Sequence, residues 1–194
     1  MHPDSPLWFL TDFADQAVIL PLSLVVAITL WCAGWRRGAL AWAGIVGVTF
    51  AIVAGAKLAV FVFGPPGFLP NLHSPSGHTA AAALIYGSLV ALLASRANPR
   101  SRALMVACFV AVGIGTTRLA LHVHTRSDVV IGAAIGIAAA TLLAWAAGRR
   151  PDGVRVLIPT TVTLLVILVF HGVRLPVEVW LHEVAHTVKA EIRP

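Results

Sequence analysis

The stretch ALAWAGIVGVTFAIVAGAKLAVFVF, Ala39 to Phe63, decides the fold. It carries one charge, Lys57, near its end, and no proline. A helix rises about 1.5 Å per residue and a bilayer hydrocarbon core is about 30 Å thick, so about 20 apolar residues cross it. Residues 39–63 meet that length as one uninterrupted span. Working outward, five further apolar runs flank it: Ala17 to Trp35, Thr79 to Ser95, Ala103 to Leu121, Val129 to Ala147 and the shorter Val156 to Phe170. The pattern predicts an all-α integral membrane protein of six transmembrane helices, forming one domain over residues 1–194. Few residues are left over for a second domain or a long linker.

Composition agrees. Of 194 residues, 58% are apolar and 11% charged, against about 45–50% and 25% in ordinary soluble domains. So few charges cannot coat a soluble globule of this size, and the same figures argue against a disordered chain, a disulfide scaffold or a coiled coil. The net charge of +6 comes from short Arg groups between apolar runs. That is a membrane-loop pattern and gives no reason to expect a nucleic-acid partner. Cys32 and Cys108 lie inside apolar runs without metal spacing and are expected as small core residues. Residues 1–16 hold Asp4, Asp12 and Asp15 but no Lys or Arg. They therefore lack the basic region of a cleaved signal peptide, and the first run is expected as a retained span. Gly132-x-x-x-Gly136 predicts close helix packing, whereas Gly113 and Gly115 lack a nucleotide-binding context.

The unusual polar residues gather at one end of the predicted spans. Lys57 lies near the end of the second span. His73, Ser74, Ser76 and His78 precede or open the third. Arg118, His122, His124, Arg126 and Asp128 join the fourth to the fifth. Ionisable groups at membrane depth are costly and are functional candidates, with interfacial anchoring as the plain alternative. Cations, hydroxyls, helix N-termini, imidazoles and a single carboxylate suit a phosphate. Pro75-Ser76-Gly77-His78 reads as a tight turn with Ser76 as helix cap, its amides turned to an anion. Asp128 is four residues from His124, where a carboxylate makes an imidazole more basic. Arg126 is four residues from His122, where a cation does the opposite. His124 is thus the better nucleophile and His122 a packing or solvent-facing residue. Thr125-x-x-Asp128 also matches a capping box, and both roles can coexist.

These motifs resemble the type 2 phosphatidic acid phosphatase (PAP2) family, in its membrane-bound bacterial lipid phosphatase branch. The family pattern is Lys-x6-Arg-Pro, Pro-Ser-Gly-His and Ser-Arg-x5-His-x3-Asp. Here the second motif is complete at Pro75 to His78, and the third runs Thr117-Arg118, His124, Asp128 with Thr117 in place of Ser. The first keeps Lys57 but has Gly64-Pro65 where the family has Arg-Pro. One charge-assisted hydrogen bond, worth about 1.5–3 kcal/mol, is thereby missing.

The resemblance implies a metal-independent, cofactor-free phosphatase acting on a membrane lipid phosphate. The substrate would be of undecaprenyl diphosphate, phosphatidic acid or phosphatidylglycerol phosphate type. His124 would form a phosphohistidine, His78 would act as acid and base, and Asp128 would orient His124. Lys57, Ser76, Gly77 and Arg118 would hold the phosphoryl oxygens. The loops holding Arg36 and Arg37, then Arg96, Arg100 and Arg102, then Arg149, Arg150 and Arg155 are expected in the cytoplasm. The motif end then faces the periplasm from a bacterial inner membrane.

Two rival readings stand beside this one. The missing Arg fits a non-catalytic lipid-phosphate binder or transporter. His182-Glu183-Val184-Ala185-His186 matches the H-E-x-x-H helix of zinc proteases, with Glu191 the sole carboxylate downstream. Residues 177–192 also read as an amphipathic helix at the membrane surface, with Val177, Trp180, Leu181, Val184, Ala185 and Val188 on one stripe.

Overall fold

The computed structural model describes residues 5–94 and 98–192, so Asp4, Ser95 and Arg96 lie outside the described residues. Among the described residues every regular element is helical. They are α1 (Pro6–Asp12), α2 (Gln16–Cys32), α3 (Arg36–Phe63), α4 (Gly77–Ala94), α5 (Pro99–Ala120), α6 (Arg126–Ala147), α7 (Leu157–Phe170) and α8 (Val177–Ile192). The six apolar runs coincide with α2 to α7. Four stretches are long and apolar enough to cross a membrane: Pro6–Cys32, Arg36–Phe63, Pro99–Ala120 and Arg126–Ala147. Helices α4 and α7 are apolar but shorter.

Helix α4 is the hub, packed against α5 and α6, which also pack on each other. Residues Ala80 to Ile85 are all at most 2% exposed, so this helix is buried all round. That is why its hydrophobicity shows no single face. Glycine makes the three-helix contact possible. A Cβ on Gly132 or Gly136 of α6 would fall against the backbone oxygens of Ser76 and Ala80. One on Gly87 of α4 would lie 2.8 Å from the Ala107 Cβ of α5. The expected packing role of Gly132 and Gly136 is therefore realised as backbone-to-backbone contact. Gly136→Ala is expected to lower stability by about 1–3 kcal/mol, since the obstacle is backbone that cannot swing away. Gly47→Ala, where a Cβ meets nothing within 4 Å, is the matched control. Thermal unfolding in detergent should lower the midpoint for the first variant alone.

The outside of the bundle is apolar, with Leu24, Val48, Phe109, Val112 and Leu168 all more than half exposed. Cys32 and Cys108 also lie exposed on this surface, not in the core. In a membrane protein, lipid gives a small apolar residue an outward-facing home as good as an inward one. The Arg-rich end closes the helices that terminate there. Arg37 Nε donates to Ala146 O at 2.8 Å and Arg150 donates to Leu93 O at 2.6 Å. Both place a cation on carbonyls at a helix C-terminus, where the dipole favours it.

Candidate active site

Opposite the Arg-rich end, the C-termini of α3 and α5 meet the N-termini of α4 and α6. Asp128 ties this junction together. It opens α6 in a reciprocal capping box with Thr125. Its Oδ1 accepts the amides of His73 and Ser74, each at 2.9 Å, and its Oδ2 accepts the Thr125 amide at 2.9 Å. Its backbone carbonyl takes the Ser76 amide at 2.9 Å. One carboxylate thus joins the loop before α4 to the start of α6, and it still faces His124 Nδ1 at 3.4 Å. The capping box and the approach to His124 are thus both present as contacts.

His124 reaches that place through the end of α5. His122 adopts a left-handed φ of 56°. Its amide bonds Leu119 O, and the Val123 amide bonds Arg118 O. This is a Schellman closure with His122 in the usual glycine position. His122 is exposed and turns the chain, whereas the His124 side chain is only 3% exposed. With Nδ1 on the carboxylate, the proton sits on Nδ1 and Nε2 carries the lone pair. Burial, followed by the positive charges of Lys57 and Arg118, lowers the His124 pKa from 6.5 to about 4, against the opposing pull of Glu178 and Asp128. At neutral pH the imidazole is uncharged.

Two cations flank it. Lys57, buried on α3, donates to Ser74 Oγ at 2.6 Å. Arg118, buried in the last turn of α5, sends Nη1 to Thr11 Oγ1 at 3.2 Å. Its Nε is buried and has no hydrogen-bond partner among the described residues. A buried N–H left open is suited to an incoming oxyanion. Gly77 is close to the lysine stem, since a Cβ there would lie 3.5 Å from Lys57 Cε. Ser76 is fully buried and caps α4. Its hydroxyl pairs with Thr79 Oγ1 at 2.9 Å and its amide is taken by Asp128. Its polar groups therefore hold the turn together instead of facing an anion. Gly77 and His78 stand in the first turn of α4, where a helix leaves its amides without internal partners. Arg126 is exposed.

Three participants, Asp15, Thr11 and Glu178, are not among the residues that the sequence singles out. Asp15 caps α2 through Ala17 N at 2.9 Å and takes Leu175 N at 3.0 Å on the same oxygen. Its other oxygen is 3.6 Å from His78 Nε2. Thr11 and Ser74 hold the two cations. Glu178 of α8 places Oε1 2.9 Å from Lys57 Nζ and 3.0 Å from Ser74 Oγ. One signal for Glu178 was available. It lies three residues before Leu181 and seven before Ala185, so it is a carboxylate on the apolar face of α8. The N-terminal acids offered no comparable signal.

Helix α8 has the predicted bounds but does more than coat a surface. It packs on α3, with the His182 ring stacked on Phe61 at 3.9 Å between centroids. His182, Glu183 and His186 are exposed, and among the described residues no group of three His, Cys, Asp or Glu residues gathers that could hold a metal. The zinc-protease spacing thus lacks a third ligand. Beside Lys57 and Gly77, an apolar cleft of about 190 Å³ runs between α2, α3 and α8, walled by Leu20, Phe50, Val53 and Leu181.

The family model of the PAP2 superfamily matches residues 59–152. An uncharacterized 22.5 kDa protein in the cps region of Klebsiella pneumoniae is 31% identical over 143 residues, covering 72% of this chain and 68% of that protein. The chain belongs to the PAP2 superfamily. No solved structure matches it. PAP2 membership carries phosphatase-type chemistry on lipid-like substrates, and the apolar helices make this PAP2 protein a membrane protein. The matched segment contains α4, α5 and α6 with His78, Arg118, His124 and Asp128. It leaves out α1, α2, α7, α8 and most of α3, so Asp15, Lys57 and Glu178 lie on parts of the chain beyond the family match.

Proposed function

We propose that this PAP2 protein is a metal-independent phosphatase that hydrolyses a phosphomonoester or diphosphate on a membrane lipid. The observation that carries this reading is the buried His124–Asp128 pair facing Lys57 and the open Nε of Arg118. His124 Nε2 attacks phosphorus, forming an N–P bond as the P–O bond to the lipid breaks. His78 gives its proton to the departing oxygen. His78 then takes a proton from water, the resulting hydroxide attacks phosphorus, and the N–P bond breaks to free inorganic phosphate. Lys57, Arg118 and the Gly77 amide hold the phosphoryl oxygens, while Ser76 fixes the turn that presents Gly77. Asp15 beside His78 steadies the second imidazole as Asp128 does the first. The apolar cleft next to Lys57 suits the first part of a lipid chain.

In this reading the whole chain is one phosphatase domain in a bacterial inner membrane. Helices α2 to α7 all span, with the bilayer thinned around the short α7. The site faces the periplasm because the Arg-rich loops lie at the opposite end. Phosphate release from purified phosphatidic acid, phosphatidylglycerol phosphate and undecaprenyl diphosphate tests it. Release from at least one of them, undiminished by EDTA, is the expected result. The alternative, a lipid-phosphate binder without turnover, draws on Gly64 and on the carboxylate of Glu178 at Lys57. Binding of all three lipids with no release would select it.

A further inference from the structure

The cation pocket already contains an anion. Glu178 accepts hydrogen bonds from Lys57 and Ser74. It is the foremost negative charge acting on Arg118, and it acts on His124 as well. Its carboxylate therefore sits where the proposed mechanism needs a phosphoryl group. The side chain is 46% exposed, so it has solvent to move into. Its helix is pinned at the base and loosely held along its body. At the base, Arg174 makes a two-point contact with Asp12 at 2.7 and 3.0 Å, and Leu175 N bonds Asp15. Along the body, Ala185 is the one buried residue of α8, and His182 rests on Phe61.

A substrate must displace this carboxylate from Lys57. Such an internal competitor lowers the apparent affinity of every anion by one common factor, the fraction of time the seat is vacant. The ratios of affinity stay as they are, but absolute occupancy changes: a common factor leaves a strong binder seated and drops a weak one below its working concentration. A phosphodiester head group carries a single negative charge, as Glu178 does, and so gains little by the exchange. A terminal phosphate carries about −1.5 to −2 at neutral pH and offers three acceptor oxygens. In a bilayer the phosphodiesters are the abundant species and would otherwise fill a lysine–arginine pocket unproductively.

Resting on the phosphatase reading above, we propose that Glu178 is a built-in competitor that raises the affinity an anion needs to occupy Lys57 and Arg118, so that weakly held bilayer phosphodiesters stay off while a terminal phosphate or diphosphate displaces it.

The test compares wild type, Glu178→Gln and His182→Ala, the last keeping the carboxylate but loosening α8. Inorganic phosphate binding is measured by isothermal titration. In parallel, hydrolysis of phosphatidic acid is followed in mixed micelles with rising phosphatidylglycerol. Glu178→Gln is expected to bind phosphate about tenfold tighter, the low end for a half-exposed charged contact. Its KM should fall by a similar factor without phosphatidylglycerol, and phosphatidylglycerol should become an inhibitor. His182→Ala should move the same way by a smaller factor, and wild type should stay insensitive. Phosphate affinity and phosphatidylglycerol sensitivity equal to wild type in both variants would overturn the proposal. If wild type hydrolyses no lipid, the phosphatase reading fails, and the titration still decides whether Glu178 competes for the seat.

Discussion

His124→Ala is expected to lower phosphate release by on the order of 10⁴-fold or more, the scale seen when a nucleophile is removed from a catalytic unit that acts together. Its folding should change little, because the ring makes one long contact at 3.4 Å to an aspartate already held by three amides. Steady-state release from the best lipid substrate measures the loss, and thermal unfolding checks the fold. Release within tenfold of wild type would remove His124 from the mechanism. The same residue sets a pH expectation. Attack needs the unprotonated ring, and its pKa is lowered from 6.5 to about 4 by burial and then by Lys57 and Arg118. The acid limb of kcat/KM, which reports the free enzyme, should therefore fall near pH 4 and not near 6.5. Stability follows with the sign of a depressed histidine. Below 6.5 the unfolded chain takes up the proton first, so this contribution is complete above about 6.5 and is lost as pH falls toward about 4.

Asp128 produces the second large effect, and it divides into two parts. Asp128→Ala leaves the His73, Ser74 and Thr125 amides without their acceptor in a place that is 1% exposed. At about 1–3 kcal/mol for each unsatisfied buried group, the loss should be about 3 kcal/mol or more. A large drop in the unfolding midpoint is expected. Asp128→Asn retains one acceptor oxygen and most of the fold but reverses the preference for Nδ1–H on His124. Activity should then fall by on the order of 10³–10⁴-fold, as when the carboxylate behind a catalytic histidine is neutralised. A stable Asp128→Asn protein with wild-type turnover would show that the carboxylate serves folding alone.

Much of this site was legible because it is written in local spacing. The four-residue step from His124 to Asp128 survives as a contact, and the Thr125 capping box reads directly. The Gly132–Gly136 interval names its own packing face, and 177–192 announces a helix with the observed bounds. Convergence of Lys57, His78, Arg118 and His124 also followed from counting spans, since alternate helix ends must share a membrane face. What escaped depends on chain folding over long separations. Asp15 meets His78 only because α1 and the start of α2 lie against α5 and the 171–176 link. Glu178 meets Lys57 only because that link turns α8 back over α3. Ser76 was assigned to the anion from its motif, yet its amide was claimed by Asp128 across a tertiary contact. No spacing rule reports that kind of competition.

Where α4, α5 and α6 touch at Gly87, Gly132 and Gly136, the approach is too close for an added methyl group. Enlarging Gly132 or Gly136 pushes on the main chain of α4 beside His78. The walls supplied by α2, α3 and α8 are built from Leu20, Phe50, Val53 and Leu181, which can be trimmed or enlarged without disturbing the reacting groups. Retargeting such a scaffold to a different hydrophobic tail is therefore a matter of resculpting that adaptable rim while the trio behind it stays fixed.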